Sequence, residues 1–247
     1  MRALDRDVIG QGHHPHGAAG SVTGWVFAHR PSNRQRNGWV VSLLGVQPAD
    51  QVLEIGFGPG LAIAELVRAG AGHVYGVDHS RVMLRQASRR NAAAIRAGRV
   101  TLINASVDQL PAALDGPFDA ILAVNSLGFW PAAAERLAEL RRRLAPDGRI
   151  AIASQPRCPG ATAGTSRSAA DEVENLLRSA GFTQLNTETL PLSPPVICVL
   201  AAARRPARPG AVTPPLRIVS LGMSSDNVND DCRHQRVGCL RRCRDPD

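Results

Sequence analysis

The chain has no lysine: all 29 of its basic residues are arginine. It is poor in aromatics, with three Trp, one Tyr and five Phe among 247 residues. No apolar run reaches the ~18 residues that a membrane helix requires, so a membrane partner is not expected. No secretory leader core stands near the start, because positions 9–20 are rich in glycine and histidine. Five cysteines are an odd number, and Cys158 and Cys198 lie far apart, which argues against a disulfide framework. A cytoplasmic location is therefore expected. Metal ligation is not. His13, His14 and His16 have no acid or cysteine at ligand spacing, and Cys232, His234, Cys239 and Cys243 depart from the pair-and-pair spacing of zinc sites.

The net charge of +8 invites a nucleic-acid reading, but its distribution weakens it. From Arg204 onward there are 9 Arg against 5 acids, whereas residues 1–203 hold 20 Arg against 16 acids. Half of the excess thus sits in the last 44 residues, and a nucleic-acid partner is disfavoured for the rest. Arginine without lysine, with heavy alanine use, is the mark of a GC-rich bacterial coding sequence.

The sequence divides into four regions. Residues 1–23 lack apolar periodicity and are expected to be mobile. Residues 24–47 carry Trp25, Phe27, Trp39, Val40, Leu43 and Leu44 in an amphipathic pattern broken at Pro31, which predicts a helix from about Ser32, as its cap, to Leu44. This segment is a helical cover or lid. Residues 48–203 alternate strand and helix patterns, with a long helix capped by Ser80, a helix from Trp130 to Leu144 with Pro131 in its first turn, a Pro/Gly/Thr loop at 156–167 and a helix from Ser168 to Ala180, which predicts a parallel sheet covered on both faces. Residues 204–247 open on Pro/Arg linker chemistry and continue as a basic, polar tail with few apolar anchors, expected to be disordered.

The most informative stretch is Val52-Leu53-Glu54-Ile55-Gly56-Phe57-Gly58-Pro59-Gly60. An apolar strand runs into a three-glycine turn, and a helix pattern starts at Leu61. Such a turn lets a ligand touch the backbone, and the helix aims free N–H groups at it. The dinucleotide fingerprint G-x-G-x-x-G fails at Leu61. A second strand, Val74 to Asp78, ends in an acid ~20 residues on, where a carboxylate can accept from two ribose hydroxyls.

The E-x-G-x-G-x-G pattern from Glu54 to Gly60 resembles motif I of the class I S-adenosylmethionine-dependent methyltransferases. Asp78, Val107-Asp108, the strand Phe118 to Asn125 and the Leu144-Ala145-Pro146-Asp147-Gly148 turn extend the likeness over residues 38–203. The resemblance implies a Rossmann-like α/β fold, with a seven-stranded, mostly parallel sheet, an antiparallel final strand and helices on both faces. It implies S-adenosyl-L-methionine as cofactor. Gly56, Gly58 and Gly60 would take its methionine end and Glu54 would face its ammonium. Asp78 would take the ribose, and Asp108 with the Val107 backbone the adenine, with His79 or Met83 packed near the base. Asn125 belongs to both the cofactor site and the edge of the acceptor site. Acceptor candidates are Ser126, Phe129 and Trp130, joined by Trp25, Arg30 and Trp39.

Asn125-Ser126-Leu127-Gly128 departs from the Asn/Asp-Pro-Pro-aromatic motif of adenine and glutamine N-methyltransferases. A small, partly apolar metabolite is therefore the expected acceptor. An RNA methyltransferase and a non-catalytic cofactor-binding module stay open. His29 is the nearest sequence candidate for a general base, and no catalytic residue is named.

Overall fold

The structure, a computed structural model, describes residues 31–203. The readings made for residues 1–30, including Trp25, Phe27, His29 and Arg30, and for the tail from Arg204 lie outside the described residues.

Seven strands form one sheet in the order β3-β2-β1-β4-β5-β7-β6. They are β1 Gln51–Ile55, β2 His73–Asp78, β3 Val100–Asn104, β4 Phe118–Val124, β5 Leu144–Ser154, β6 Thr183–Leu190 and β7 Val196–Ala202. The first five pair in parallel, and β7 runs antiparallel to both β5 and β6. No helix intervenes between β6 and β7, so the chain returns as a hairpin and inserts β7 inside the sheet. The helices are α1 Pro31–Leu44, α2 Leu61–Arg68, α3 Arg81–Arg90, α4 Ala92–Arg96, α5 Ala133–Arg143 and α6 Ala163–Ser179.

Strand residues alternate between two cores, as a period of two requires. Leu53, Ile55, Ile121, Ala123, Ile150 and Ile152 pack with Leu137 and Leu140 of α5 and Val173 and Leu177 of α6. Val52, Val74, Ala120, Leu122 and Ala151 pack on the other face with α1, α2 and α3. Both faces being apolar explains why the strands read as continuous apolar runs.

Local chemistry moves several boundaries. Helix α1 starts at Pro31, so Ser32 lies in its first turn and is not the cap; proline suits a first helical position because its missing N–H has no partner there. The helix read from Trp130 to Leu144 begins at Ala133, after Ala132 adopts φ 47°. Pro131 therefore precedes the helix, and Trp130 is extended and buried in the core. The helix read from Ser168 to Ala180 begins at Ala163, because Thr162 and Thr165 form a reciprocal capping box. The long helix after Ser80 is divided at Asn91, whose side chain bonds Gly60 O and Ala87 O. Ser80 is its N-cap, accepting from Met83 N at 3.4 Å.

Helix α1 is anchored at its C-terminal end. Val40, Val41 and Leu44 are buried against the α2 side of the core. Arg149 donates to Leu44 O at 2.5 Å, Gly45 O at 2.9 Å and Asp50 Oδ2 at 2.6 Å. A cation at a helix C-terminus meets the negative end of the macrodipole and satisfies orphan carbonyls.

Candidate active site

The glycine turn lies between the carboxyl end of β1 and the start of α2. Its three glycines have different surroundings. A Cβ at Gly56 would stand 2.5 Å from Ser126 Cβ, and one at Gly60 would stand 2.8 Å from Ala87 Cβ. Both positions are closed by packing. At Gly58 nothing lies within 4 Å of an added Cβ. The turn is thus gripped at both ends and open in the middle, as a backbone that receives a ligand should be.

The grip is polar as well as steric. Gly56 N donates to Val77 O at 2.7 Å, tying the turn to β2. Arg90 Nε donates to Pro59 O at 2.9 Å, and Asn91 Nδ2 to Gly60 O at 3.1 Å, so α3 holds the outer side. Ser126 Oγ donates to Ile55 O at 2.7 Å, so the residue after Asn125 holds the inner side. Phe57 is buried, and Gly76 in β2 makes room for it: a Cβ at Gly76 would lie 2.9 Å from the Phe57 ring.

Two carboxylates meet this turn. Asp78 accepts from Gly58 N and Ser80 N, each at 2.8 Å. Burial raises its pKa, against those two backbone donors and the neighbouring His79, whose Nδ1 is 4.0 Å from Asp78 Oδ1. Glu54 is 2 % exposed and its Oε2 has no hydrogen-bond partner. Burial first, and the Asp78 carboxylate second, push Glu54 up to about 8, while the Ile63 backbone bond pulls it down. An unpaired buried carboxylate is costly, and a cation brought beside it would relieve that cost.

The other predicted residues have differing surroundings. Met83 and Val107 are buried, Met83 in the α3 packing and Val107 in the opposite core. Asp108 is at the surface, with its pKa lowered first by the Ser106 hydroxyl. It lines a polar cavity of about 400 Å³ together with Gln109, Glu139 and Arg142. The glycine turn does not line that cavity. Asn125 has φ 53° at the carboxyl end of β4, and its Oδ1 accepts from Gln155 N at 2.7 Å. Positive φ in a non-glycine residue at the sheet's switch point is the sort of backbone constraint that functional sites carry. Phe129, a large apolar side chain, is 49 % exposed. Trp39 is half-buried beside the α1–α2 packing.

Sequence reading missed a buried polar network next to Asn125. Arg36 Nη1 and Arg157 Nη2 both donate to Gln155 Oε1, at 2.8 and 3.0 Å. Arg157 also donates to Asn33 Oδ1 at 2.9 Å. Asn33, Arg36 and Asn37 are buried on α1 together with Val40 and Leu44. Their helical spacing with those apolar positions was the available signal: polar residues in an inward register.

Residues 52–148 match the family described as Methyltransferase domain. The uncharacterized methyltransferase YdaC of Bacillus subtilis is 29 % identical over 188 residues, spanning 75 % of this chain and 99 % of that protein. The N-methyltransferase NodS of Bradyrhizobium japonicum, solved with S-adenosyl-L-homocysteine, superposes with a TM-score of 0.58 at 18 % identity, over 72 % of this chain and 90 % of that one. The [4+2]-cyclase SpnF has the same TM-score of 0.58 at 17 % identity, over 70 % of this chain and 81 % of that one, so the fold alone does not dictate methyl transfer. The matched domain and the similarity to a methyltransferase over 75 % of this chain support a class I S-adenosylmethionine-dependent methyltransferase, and the seven-stranded sheet ending in an antiparallel strand agrees with that fold.

Proposed function

We propose that this methyltransferase modifies a small, partly apolar metabolite in the crevice at the carboxyl ends of β1 and β4. The observation that carries the acceptor reading is the turn at the end of β4, where Asn125 has φ 53°, Ser126 bonds Ile55 O and the aromatic Phe129 follows. Open α/β sheets bind ligands at that switch point, and an aromatic side chain there suits a partly apolar acceptor.

The residues present fit the cofactor. Gly58 leaves room at the turn, Asp78 offers a carboxylate, and Glu54 has an unsatisfied buried oxygen for an ammonium. When bound, S-adenosylmethionine supplies a methyl group on a positively charged sulfur. The protein's own task is to hold the acceptor in line and to exclude water. In this reading Glu54 holds the ammonium side, Asp78 the ribose and the Val107–Asp108 segment the adenine, with His79 and Met83 nearby. Asn125 and Ser126 brace the inner side of the turn. Residues 24–30, with Trp25 and Arg30, are proposed to cover the crevice from the N-terminal side of α1, together with Trp39.

Native mass spectrometry of the purified protein tests the cofactor: retained S-adenosylmethionine or S-adenosylhomocysteine is expected. A methyl-labelled cofactor, incubated with a cell extract, tests the acceptor. Label should enter the low-mass fraction. Label confined to RNA would replace this reading with the nucleic-acid one, for which the exposed row Arg81, Arg85 and Arg89 on α3 would be the phosphate-facing surface.

A further inference from the structure

We propose that the methyl acceptor carries an oxyanion, a carboxylate or a phosphate, and that Arg36 receives it with Arg157 at its side. The proposal rests on the acceptor crevice assigned above and adds a charge to it.

Arg36 is 6 % exposed, yet its described partner is the neutral amide oxygen of Gln155, and its Nε has no hydrogen-bond partner. A second guanidinium, from Arg157, donates to that same oxygen. Two like charges at one neutral acceptor are a poor structural device, because each disfavours the other's charged form. Burial and the Arg157 charge pull Arg36 down to about 9, far from the ordinary arginine range. Proteins rarely bury a guanidinium without an acid, unless a ligand brings one.

Position gives the site its role. Gln155 directly follows β5. Its N–H is held by Asn125 Oδ1 and its side-chain amide donates to Pro194 O at 2.8 Å, so its oxygen is fixed toward the arginines. Asn125 leads to Ser126, which bonds the strand end beside Gly56. The arginine pair is therefore joined to the glycine turn by a path of three hydrogen bonds, at the carboxyl ends of β4 and β5. Planar guanidinium groups match carboxylate and phosphate oxygens in pairs, which would orient a small acceptor as well as retain it.

The test uses the full chain with S-adenosylhomocysteine present, and benzoate, benzamide and inorganic phosphate as probes. Benzoate or phosphate should raise the Tm, and benzamide, the neutral counterpart, should not. The probe that acts tells carboxylate from phosphate. R36Q should lose at least about tenfold in probe affinity, R157Q should weaken it, and R36K should retain part. Without probe, R36Q should melt no lower than wild type, because it removes a buried charge that lacks an acid. Titration of S-adenosylhomocysteine should give the same affinity in wild type and R36Q. Equal probe responses in wild type and R36Q, no response to either anion, or an R36Q chain that is unfolded or melts several degrees lower would each overturn the proposal and make the network a structural staple. Loss of S-adenosylhomocysteine binding in the wild type would instead sink the cofactor reading, and the comparison of probes would still stand by itself.

Discussion

The two edges of the parallel sheet treat charge in opposite ways. At the amino edge Asp50, Asp119 and Arg149 are all paired among the described residues. Asp50 accepts from Gln47 N and from Arg149, Asp119 accepts from Gln51 N, and Arg149 also covers the carbonyls that end α1. At the carboxyl edge two buried groups are left with unsatisfied atoms, Glu54 Oε2 and Arg36 Nε. Glu54 has an orphaned oxygen, Arg36 meets another arginine, and Asp78 leans on backbone N–H groups of the glycine turn. Carboxylates that are paired at one edge thus contrast with a carboxylate left unsatisfied at the edge where ligands bind in such sheets. In the reading proposed above, the charges at the amino edge hold the fold and those at the carboxyl edge receive ligands.

Breaking the amino edge should cost the most. Arg149→Met removes hydrogen bonds to two helix-end carbonyls and leaves Asp50 without its cation. Loss of one member of a mostly buried pair costs ~3–5 kcal/mol. Urea unfolding should reveal it as a lower midpoint. A loss under about 1 kcal/mol would mean that the two edges do not differ as described, since that is the worth of an exposed pair.

Asp78→Ala attacks the carboxyl edge and should act on the ligand. The ribose hydroxyls lose a charged acceptor, a cost of about 1.5–3 kcal/mol in cofactor affinity. The turn also loses its bonds from Gly58 N and Ser80 N, so some stability is lost as well. Calorimetric titration separates the two effects. Unchanged affinity with reduced stability would make Asp78 a brace of the turn only.

Glu54 sharpens the contrast through pH. Its folded pKa of about 8 lies above its ordinary value of 4.5, so between these limits the folded chain holds a proton that the unfolded chain has released. Stability from this group is therefore full at low pH and is lost as pH rises through that window. Glu54→Gln should leave the unliganded Tm nearly unchanged at pH 5 and raise it at pH 8. Binding a cationic cofactor near pH 7 should release a proton, visible as a buffer-dependent enthalpy. The substitution should weaken S-adenosylmethionine roughly tenfold, about 1.4 kcal/mol. A proton-independent enthalpy would show that the ammonium does not meet this carboxylate.

Local patterns made much of this legible in the sequence. The strand, glycine turn and helix from Gln51, and the acid ending β2, are contiguous signals, and Ser80 caps α3 as its position suggested. Errors arose where short-range geometry overrode a pattern. Ala132 in a left-handed conformation delays α5, and the Thr162–Thr165 box starts α6 inside what reads as a Pro/Gly/Thr loop. The charged networks were hidden for a different reason. Arg36 finds Gln155 across 119 positions and Arg149 finds Asp50 across 99, and nothing local in either arginine names its partner. Residue types showed that charge was present, and only the fold showed which charges were answered.

The smallest effect is expected from the tail, whose composition sets it apart from both edges. Residues 204–247 hold 9 Arg and 5 acids with few apolar anchors, so little core burial is expected from them. Strand β7 ends at Ala202, and Ala203 N still donates to Gly148 O at 2.9 Å, so the seven described strands pair without the tail. A chain ending at Arg205 should keep its stability within about 0.5 kcal/mol, the range of changes away from packed groups. Its affinity for S-adenosylhomocysteine should be unchanged. Insolubility or lost cofactor binding would make the tail part of the domain. If folding and cofactor binding persist while salt-sensitive RNA binding disappears, the tail is a phosphate anchor, and the acceptor must be sought among nucleic acids.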